Sequence, residues 1–130
     1  MQISVPDAPF EWAKGLPYNQ SVVVGDLVFT AGQGGFGADG EVVDGGFDAQ
    51  LRQTFANLDA ALQQAGSSLD GVVKLTAFLV NPEDYASWRR IRAEFITPPY
   101  PAGTAVSSAL LLPGMLVEVE AVAVRGATRA

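Results

Sequence analysis

Two glutamates near the end of the chain have the residue type and spacing that acid–base chemistry needs. Glu118 and Glu120 interrupt an otherwise apolar run at positions 116–124, LVEVEAVAV. Its strict alternation predicts a β-strand, in which both carboxylates lie on one face, about 7 Å apart and beside Val122. A carboxyl group held among apolar side chains and near a like charge has a raised pKa. Glu118 is therefore the best candidate for a proton carrier near neutral pH.

The same pattern has a structural explanation. Both glutamates could pair with arginine or lysine across a subunit interface, which would also account for carboxylates on a partly apolar strand face. The two explanations remain open for Glu118. For Glu120 the structural explanation is favoured.

Composition excludes several kinds of site. The 130 residues are expected to form a single domain, 1–130. The chain has no cysteine and no histidine, which excludes disulfides, cysteine nucleophiles, zinc fingers and Ser-His-Asp triads. We expect no metal and no cofactor. The net charge of −6 disfavours nucleic acid as a partner. With no long apolar run and no basic leader, the chain is expected to be cytoplasmic and not membrane-bound.

The elements that position the glutamates follow the order β-β-α-β-α-β-β. Two β-branched runs around Gly25-Asp26 predict a hairpin, and apolar residues at helical spacing predict a helix over about 47–65. A strand over 72–80 follows, then a helix that opens at Asn81-Pro82 and ends at Pro98-Pro99. The last two strands are predicted over 102–112 and 116–124. This order predicts an α+β domain, a mixed sheet of five to six strands with two helices on one face.

The predicted sheet has a second face that the helices leave uncovered. Residues 72–80 are apolar on both faces, including Val73, which predicts a strand buried on both faces. The last strand adds valines beside its glutamates. An exposed apolar sheet face of that size indicates an interface. We therefore expect a symmetric homo-oligomer that buries these faces together.

The second helix is expected to turn an apolar stripe toward the core. The stripe is formed by Tyr85, Trp88, Ile91 and Phe95.

Two further motifs carry weaker signals. Residues 32–37, GQGGFG, match the dinucleotide-binding pattern, but a turn follows them where that pattern requires a helix, so a flexible loop is the favoured interpretation. Arg89, Arg90 and Arg92 cluster on the second helix, where a solvated face is the usual outcome. Arg89 lies next to Trp88 and offers a fork that suits a bound anion.

Several short motifs follow one another between positions 16 and 124. They include Pro17-Tyr18, the hairpin end Thr30-Ala31-Gly32-Gln33, Pro101-Ala102 and the final VEVEA at 117–121. Their order and spacing resemble the YjgF/RidA (L-PSP) family. The resemblance implies a chorismate-mutase-like fold and a homotrimer with clefts between neighbouring subunits. It also implies hydrolysis of reactive imines or enamines to carbonyl compounds and ammonium.

The resemblance also implies a site. Glu118 matches the glutamate that positions or activates water, and Tyr18 and Gly32 match residues of the pocket. The chain departs from the pattern at three positions: Ala31 stands where the family has serine, Arg89 where asparagine is common, and Gly103 where an arginine clamps the substrate carboxylate. The chain thus resembles a divergent branch without that arginine, and its small-molecule substrate is expected to differ.

Combined with the residue analysis, this predicts Glu118 as catalytic. The predicted substrate-binding positions are Tyr18, Ala31, Gly32, Arg89, Gly103, Thr104 and Ala105; backbone N–H groups near the last three would polarise the substrate. The alternative is a non-catalytic trimer that binds a small metabolite or acts as a chaperone. RNA cleavage, claimed for relatives, is disfavoured by the acidic charge and the lack of histidine.

Overall fold

The chain forms one six-stranded sheet with two helices. The computed structural model describes residues 2–127. Its strands are β1 (Ile3–Ser4), β2 (Ser21–Val24), β3 (Leu27–Thr30), β4 (Val72–Leu79), β5 (Ala102–Ser107) and β6 (Val117–Val124), and its helices are α1 (Gly46–Gln64) and α2 (Tyr85–Phe95). The predicted α+β class is confirmed, with β1 as a strand that the sequence did not indicate. Within residues 2–127, no helix is long and apolar enough to cross a membrane.

The topology places the strand that carries the glutamates in the interior of the sheet. The strand order is β1-β2-β3-β6-β4-β5, so β6 is hydrogen-bonded on both sides. Strands β4 and β5 are parallel, and every other neighbouring pair is antiparallel. Parallel neighbours require a crossover, which α2 supplies, whereas the Gly25-Asp26 turn is enough to join β2 to β3. An interior strand is held on both edges, which fixes the direction of its side chains.

Both helices pack on one face of the sheet, as predicted. Alternate residues of β6 (Val117, Val119, Ala121 and Ala123) are buried in the same core as the inner faces of α1 and α2. Phe55 of α1 stacks on Phe95 at 4.9 Å and on Trp88 of α2 at 5.8 Å between ring centroids. Large aromatic and aliphatic side chains of this kind supply most of the burial that stabilises a small domain.

The fifth strand is shorter than predicted. β5 ends at Ser107, and residues 108–116 form a loop rather than more strand. The reason is that β4 ends at Leu79, whose carbonyl accepts the Ser108 N–H, and beyond that point β5 has no neighbour to pair with. The loop leaves Leu111 99% exposed.

Helix α2 begins later than predicted. Pro82–Asp84 form a separate 3₁₀ turn, and the α-helix starts at Tyr85. Tyr85 lies at that junction and is 52% exposed, so it is not part of the buried stripe. Trp88 and Ile91 are buried as predicted.

One other prediction was wrong. Val73 is exposed rather than buried, because a register shift between Val72 and Lys74 turns it out of the alternating pattern.

The glycine-rich segment after β3 is a loop, and it is attached to α1. The Asn57 amide of α1 donates to the carbonyls of Gly34 and Phe36, at 2.9 Å each, so the segment is fixed to the helix.

The second sheet face is only partly covered in this chain. The strand registers place Phe29, Val122, Phe78, Glu118 and Val106 on the face opposite the helices. Phe29 and Val106 are each 43% exposed. We call this surface the bare face. Apolar side chains in this number on an open sheet face are typical of an interface.

Candidate functional site

Glu118 lies on the bare face and is the second residue of β6. It pairs with Phe78 of β4, and its side chain is partly buried. Burial raises the pKa of the Glu118 carboxyl above its ordinary value, and the neighbouring Glu120 carboxylate raises it further. Both causes were expected from the sequence. Glu120 is exposed. Within the described chain neither glutamate forms a salt bridge; the three ion pairs found there involve other carboxylates.

An irregularity in the sheet makes room for this carboxylate. Phe29 pairs with Val122 and Gln33 pairs with Val119. The chain therefore advances four residues from Phe29 to Gln33 while β6 advances only three between the two paired valines. The extra residue is accommodated at Ala31-Gly32, and the Thr30 hydroxyl accepts the Ala121 N–H at 3.0 Å. Bulges of this kind are common next to active sites, where they redirect neighbouring groups.

Gly32 is in contact with the Glu118 carboxylate. A Cβ built on Gly32 would lie 2.5 Å from Glu118 Oε2 and 2.7 Å from its Cδ. A side chain at this position would displace the carboxylate, and glycine leaves the carboxylate where it is. This contact explains why Gly32 and Glu118 belong to the same site.

The carboxylate opens into a cavity of about 360 Å³. Tyr18 and Gly32 line it with Glu118, so the structure brings together three of the predicted site residues. Trp12, Leu16, Phe36, Leu111, Leu112 and Met115 supply most of its apolar wall. A mostly apolar concave site with a few polar groups is the usual form of a small-molecule pocket. We call it the Glu118 pocket.

Ala31 contributes through its backbone. Its N–H donates to the Gln20 carbonyl at 2.9 Å, and its own carbonyl accepts from the Gln33 amide at 3.3 Å. Its side chain is not among the groups that line the Glu118 pocket in the described part of the chain.

Two buried glutamines near the pocket were missed by the sequence analysis. Gln20 is 4% and Gln33 is 2% exposed, and Gln33 Nε2 donates to Gln20 Oε1 at 2.8 Å. Gln20 Nε2 is buried and makes no hydrogen bond to any residue in the described range. Both glutamines line the Glu118 pocket. The available signal was their position. Gln20 directly precedes β2 and Gln33 lies three residues after β3, so each long polar side chain lies next to an apolar strand and must find partners there.

The remaining predicted residues lie elsewhere on the chain. Gly103 and Ala105 pair with Leu75 and Ala77, which are buried under the helices, so they lie on the face opposite Glu118. Thr104 does lie on the Glu118 face, but its hydroxyl accepts a hydrogen bond from Lys74 Nζ at 2.9 Å. These residues form part of the outer edge of the sheet, since β5 is a terminal strand.

Arg89 is also distant from the Glu118 pocket in this chain. It is exposed on α2 and lines a hollow with Ala86, Ala93 and Tyr100. Arg90 and Arg92 also border this hollow. Arg90 pairs with Asp48 at 2.8 Å and the Arg92 guanidinium lies 5.8 Å from the Trp88 ring. Tyr18, Gly32 and Glu118 thus lie in the Glu118 pocket, whereas four of the predicted residues lie outside it, Arg89 on α2 and Gly103, Thr104 and Ala105 on the terminal strand β5. We call these four residues the edge group.

Comparison with known proteins gives a consistent family assignment. A family model described as Endoribonuclease L-PSP matches residues 11–125. A RutC family protein of Pyrococcus abyssi is 36% identical over 108 residues, covering 82% of this chain and 85% of the relative. The human protein named 2-iminobutanoate/2-iminopropanoate deaminase is 32% identical over 111 residues, covering 85% of this chain and 81% of the relative.

The fold agrees with a solved structure. The crystal structure of RidA from an Antarctic Psychrobacter superposes with a TM-score of 0.85 and 34% sequence identity, covering 93% of this chain and 98% of the other. The similarity extends over nearly the full length of both chains.

Proposed function

Because this chain belongs to the Endoribonuclease L-PSP family, which includes the YjgF/RidA proteins, we propose that it hydrolyses imines or enamines to carbonyl compounds and ammonium. The observation that carries the proposal is the partly buried Glu118 carboxyl, whose pKa is raised and which faces a 360 Å³ cavity against Gly32. Relatives named as imine deaminases support the same reaction class. The proposal also covers the assembly of the protein and the class of its substrate.

The assembly that we propose is a homotrimer whose clefts combine the two groups of residues. Glu118 and Gly103 lie on opposite faces of one sheet, so they can line a common cleft only if they come from different subunits. The two groups occupy different surface patches, and contacts between unlike patches build a closed ring when the rotation between subunits closes, as it does in a trimer with threefold symmetry. Phe29 and Val106 are partly exposed on the bare face, and burying them against another subunit would favour association.

In the proposed reaction, Glu118 acts as the proton carrier. It takes a proton from water as the water oxygen attacks the imine carbon and delivers that proton to the imine nitrogen, which gives a tetrahedral amino alcohol. Glu118 then takes the hydroxyl proton and passes it to the amino nitrogen, so that the C–N bond breaks, ammonia leaves and a carbonyl compound is the product. A carboxyl group with a raised pKa can do both steps near neutral pH. The apolar wall limits competing access by bulk water.

The proposed substrate class follows from the edge group. Gly103 provides no cation, and a Cβ there would meet only the Leu75 carbonyl, at 3.9 Å, so the position is open. Arg89 of the neighbouring subunit is the group that we propose to bind an anionic end where a substrate has one. Imines without a carboxylate also belong to the proposed substrate class.

The first test is the Glu118→Gln variant. Imines can be generated by an amino-acid oxidase acting on acidic, neutral and basic amino acids, with the surviving imine trapped as a semicarbazone. We expect the variant to lose at least about a hundredfold in turnover, since general acid–base catalysis contributes about 10²- to 10⁴-fold. Glu120→Gln is the matched control, and we expect it to retain most of the turnover. Full activity in Glu118→Gln would contradict the proposed role.

A second test addresses the shared cleft. Glu118→Gln chains and Gly103→Trp chains are each expected to be inactive, the second because the indole fills the cleft. Co-expressed trimers should recover about a quarter of wild-type activity, since random mixing makes one cleft in four from two unaltered halves. No recovery in trimers shown to be mixed would mean that the two groups do not share a cleft.

The absence of a cation at Gly103 also favours the alternative, a trimer that binds a small metabolite without turnover. A ligand that raises the melting temperature while no tested imine is hydrolysed would support it. RNA is not the proposed substrate, because the net charge of −6 opposes binding to phosphates.

A further inference from the structure

The least explained polar group near the Glu118 pocket is the side-chain amide of Gln20. The residue is 4% exposed and lines the pocket, and Nε2 has no hydrogen-bond partner among residues 2–127. Buried polar groups in native proteins are nearly always paired, with protein, water or ligand. Two N–H donors left open at the wall of a cavity therefore point to a partner that enters the cavity.

The surrounding hydrogen bonds fix which way this amide faces. The Ala31 carbonyl is an acceptor only, so the Gln33 atom that contacts it at 3.3 Å must be Nε2. The same Nε2 donates to Gln20 at 2.8 Å, so the Gln20 atom that receives it must be Oε1. The Gln20 NH₂ group is then turned away from Gln33. A rotated amide would place two NH₂ groups against each other.

The charges around the pocket define the acceptor that fits. Glu118 is the one charged side chain of the described residues that line it, and its neutral polar lining includes Tyr18, Gln20 and Gln33. An anionic group bound here would be repelled by the Glu118 carboxylate. A neutral acceptor, such as a carbonyl oxygen or an imine nitrogen, is not repelled and can accept from an amide N–H.

We propose that Gln20 binds the reacting group of the ligand, with its amide N–H groups donating to a C=N nitrogen or a C=O oxygen in the Glu118 pocket. The assignment of that acceptor as the reacting group rests on the proposed imine hydrolysis; the binding itself does not. Gln20 then holds the uncharged end of the ligand beside Glu118. Any carboxylate of the ligand lies at the edge contributed by the neighbour.

Two other partners for the amide are outcomes of the test. Gln20 also borders a hollow under the N-terminal segment, with Pro6, Lys14 and Asn19. A ligand bound there would not touch Gly32 or Glu118. A permanently bound water would satisfy the donors without any contribution to ligand binding.

The experiment is a titration of the assembled protein with pyruvamide, a small uncharged carbonyl compound, followed by ¹H–¹⁵N NMR. We expect binding that shifts the amide signals of Gly32 and Glu118. Two variants delete the donors: Gln20→Met removes both amide functions, and Gln20→Glu keeps an oxygen that accepts from Gln33. Both are expected to weaken pyruvamide binding about three- to tenfold, the range of one hydrogen bond.

The two variants distinguish ligand binding by Gln20 from a structural role in which Gln20 only accepts the hydrogen bond of Gln33. If Gln20 serves only to hold Gln33, Gln20→Glu should bind pyruvamide as wild type does, which would overturn the proposal. Unchanged affinity in both variants would mean that the Gln20 amide binds a structural water instead of the ligand, and this result would also overturn the proposal. So would the absence of pyruvamide binding to the wild type, or shifts confined to residues near Pro6. Thermal unfolding of each variant verifies that the fold is retained.

The outcome is distinguishable from failure of the proposed reaction. Glu118→Gln should lose turnover while binding pyruvamide at least as tightly as wild type, because it removes only the carboxylate. A wild type that binds pyruvamide through Gln20 but hydrolyses no imine would remove the enzymatic proposal and leave the Gln20 site in place.

Discussion

The Glu118 pocket and the β5 edge differ in how tightly the chain holds them. In the pocket, Glu118 lies on a strand paired on both sides, and its carboxylate touches the backbone at Gly32. At the edge, Gly103 lies on a terminal strand with open space around its Cα. The pocket therefore holds the Glu118 carboxylate in place, whereas the edge can change its side chains at little cost. Under the proposed function, the first region would determine the type of reaction and the second would determine the substrate.

Matched glycine substitutions give the largest expected difference between the two regions. In Gly32→Ala the new methyl group would lie 2.5 Å from Glu118 Oε2 and must displace it. We expect turnover to fall about a hundredfold, the usual cost of misplacing a reacting group by about 1 Å. In Gly103→Ala the nearest atom is 3.9 Å away, so turnover should stay within about twofold. Steady-state kinetics on one imine compares the two, and equal losses would contradict the distinction.

An arginine introduced at the edge should change selectivity rather than rate. Gly103→Arg is expected to raise kcat/KM for imines that carry a carboxylate by about tenfold or more relative to uncharged imines, since a charge-assisted hydrogen bond contributes about 1.5–3 kcal/mol. Gly103→Met is the control, with comparable bulk and no charge. If both variants shift selectivity alike, size rather than charge is the cause.

The smallest expected effect is on stability and concerns the raised pKa of Glu118. A carboxyl group whose pKa is higher in the folded state holds its proton more tightly there, so its contribution to stability falls as pH rises from the unfolded value, near 4.5, through the folded value. Glu118→Gln removes the ionisable group and with it this loss of stability at higher pH. We expect the variant to unfold at a slightly higher temperature than wild type at neutral pH.

That difference should shrink as pH is lowered below 4.5, where Glu118 is protonated in both states. Thermal unfolding from pH 4 to 8 measures it. Glu120→Gln is the matched control at an exposed position. A wild type that stays more stable than Glu118→Gln at neutral pH would mean that the carboxylate is paired in the assembly, as the structural explanation holds.

Local pattern was sufficient for β6 and for most of the core. The alternation at 117–124 predicted which residues are buried and placed Glu118 beside Glu120, because the period of a strand depends only on its own sequence. The same reasoning failed at Val73 and at the end of β5. In both cases the outcome depends on a neighbouring strand, through a register shift or through the lack of a partner beyond Leu79.

The sequence by itself determined the class of the fold, the strand that carries Glu118 and the direction of its pKa shift, because all three follow from local periodicity and residue chemistry. Only the tertiary structure decided that Gly32 touches Glu118, that Gln20 lines the pocket with a side-chain nitrogen unpaired among residues 2–127, and that Gly103 lies on the opposite face. Each of these depends on contacts between distant segments. Their physical origin is the way strands pair and bulge, which the order of residues along one strand does not specify.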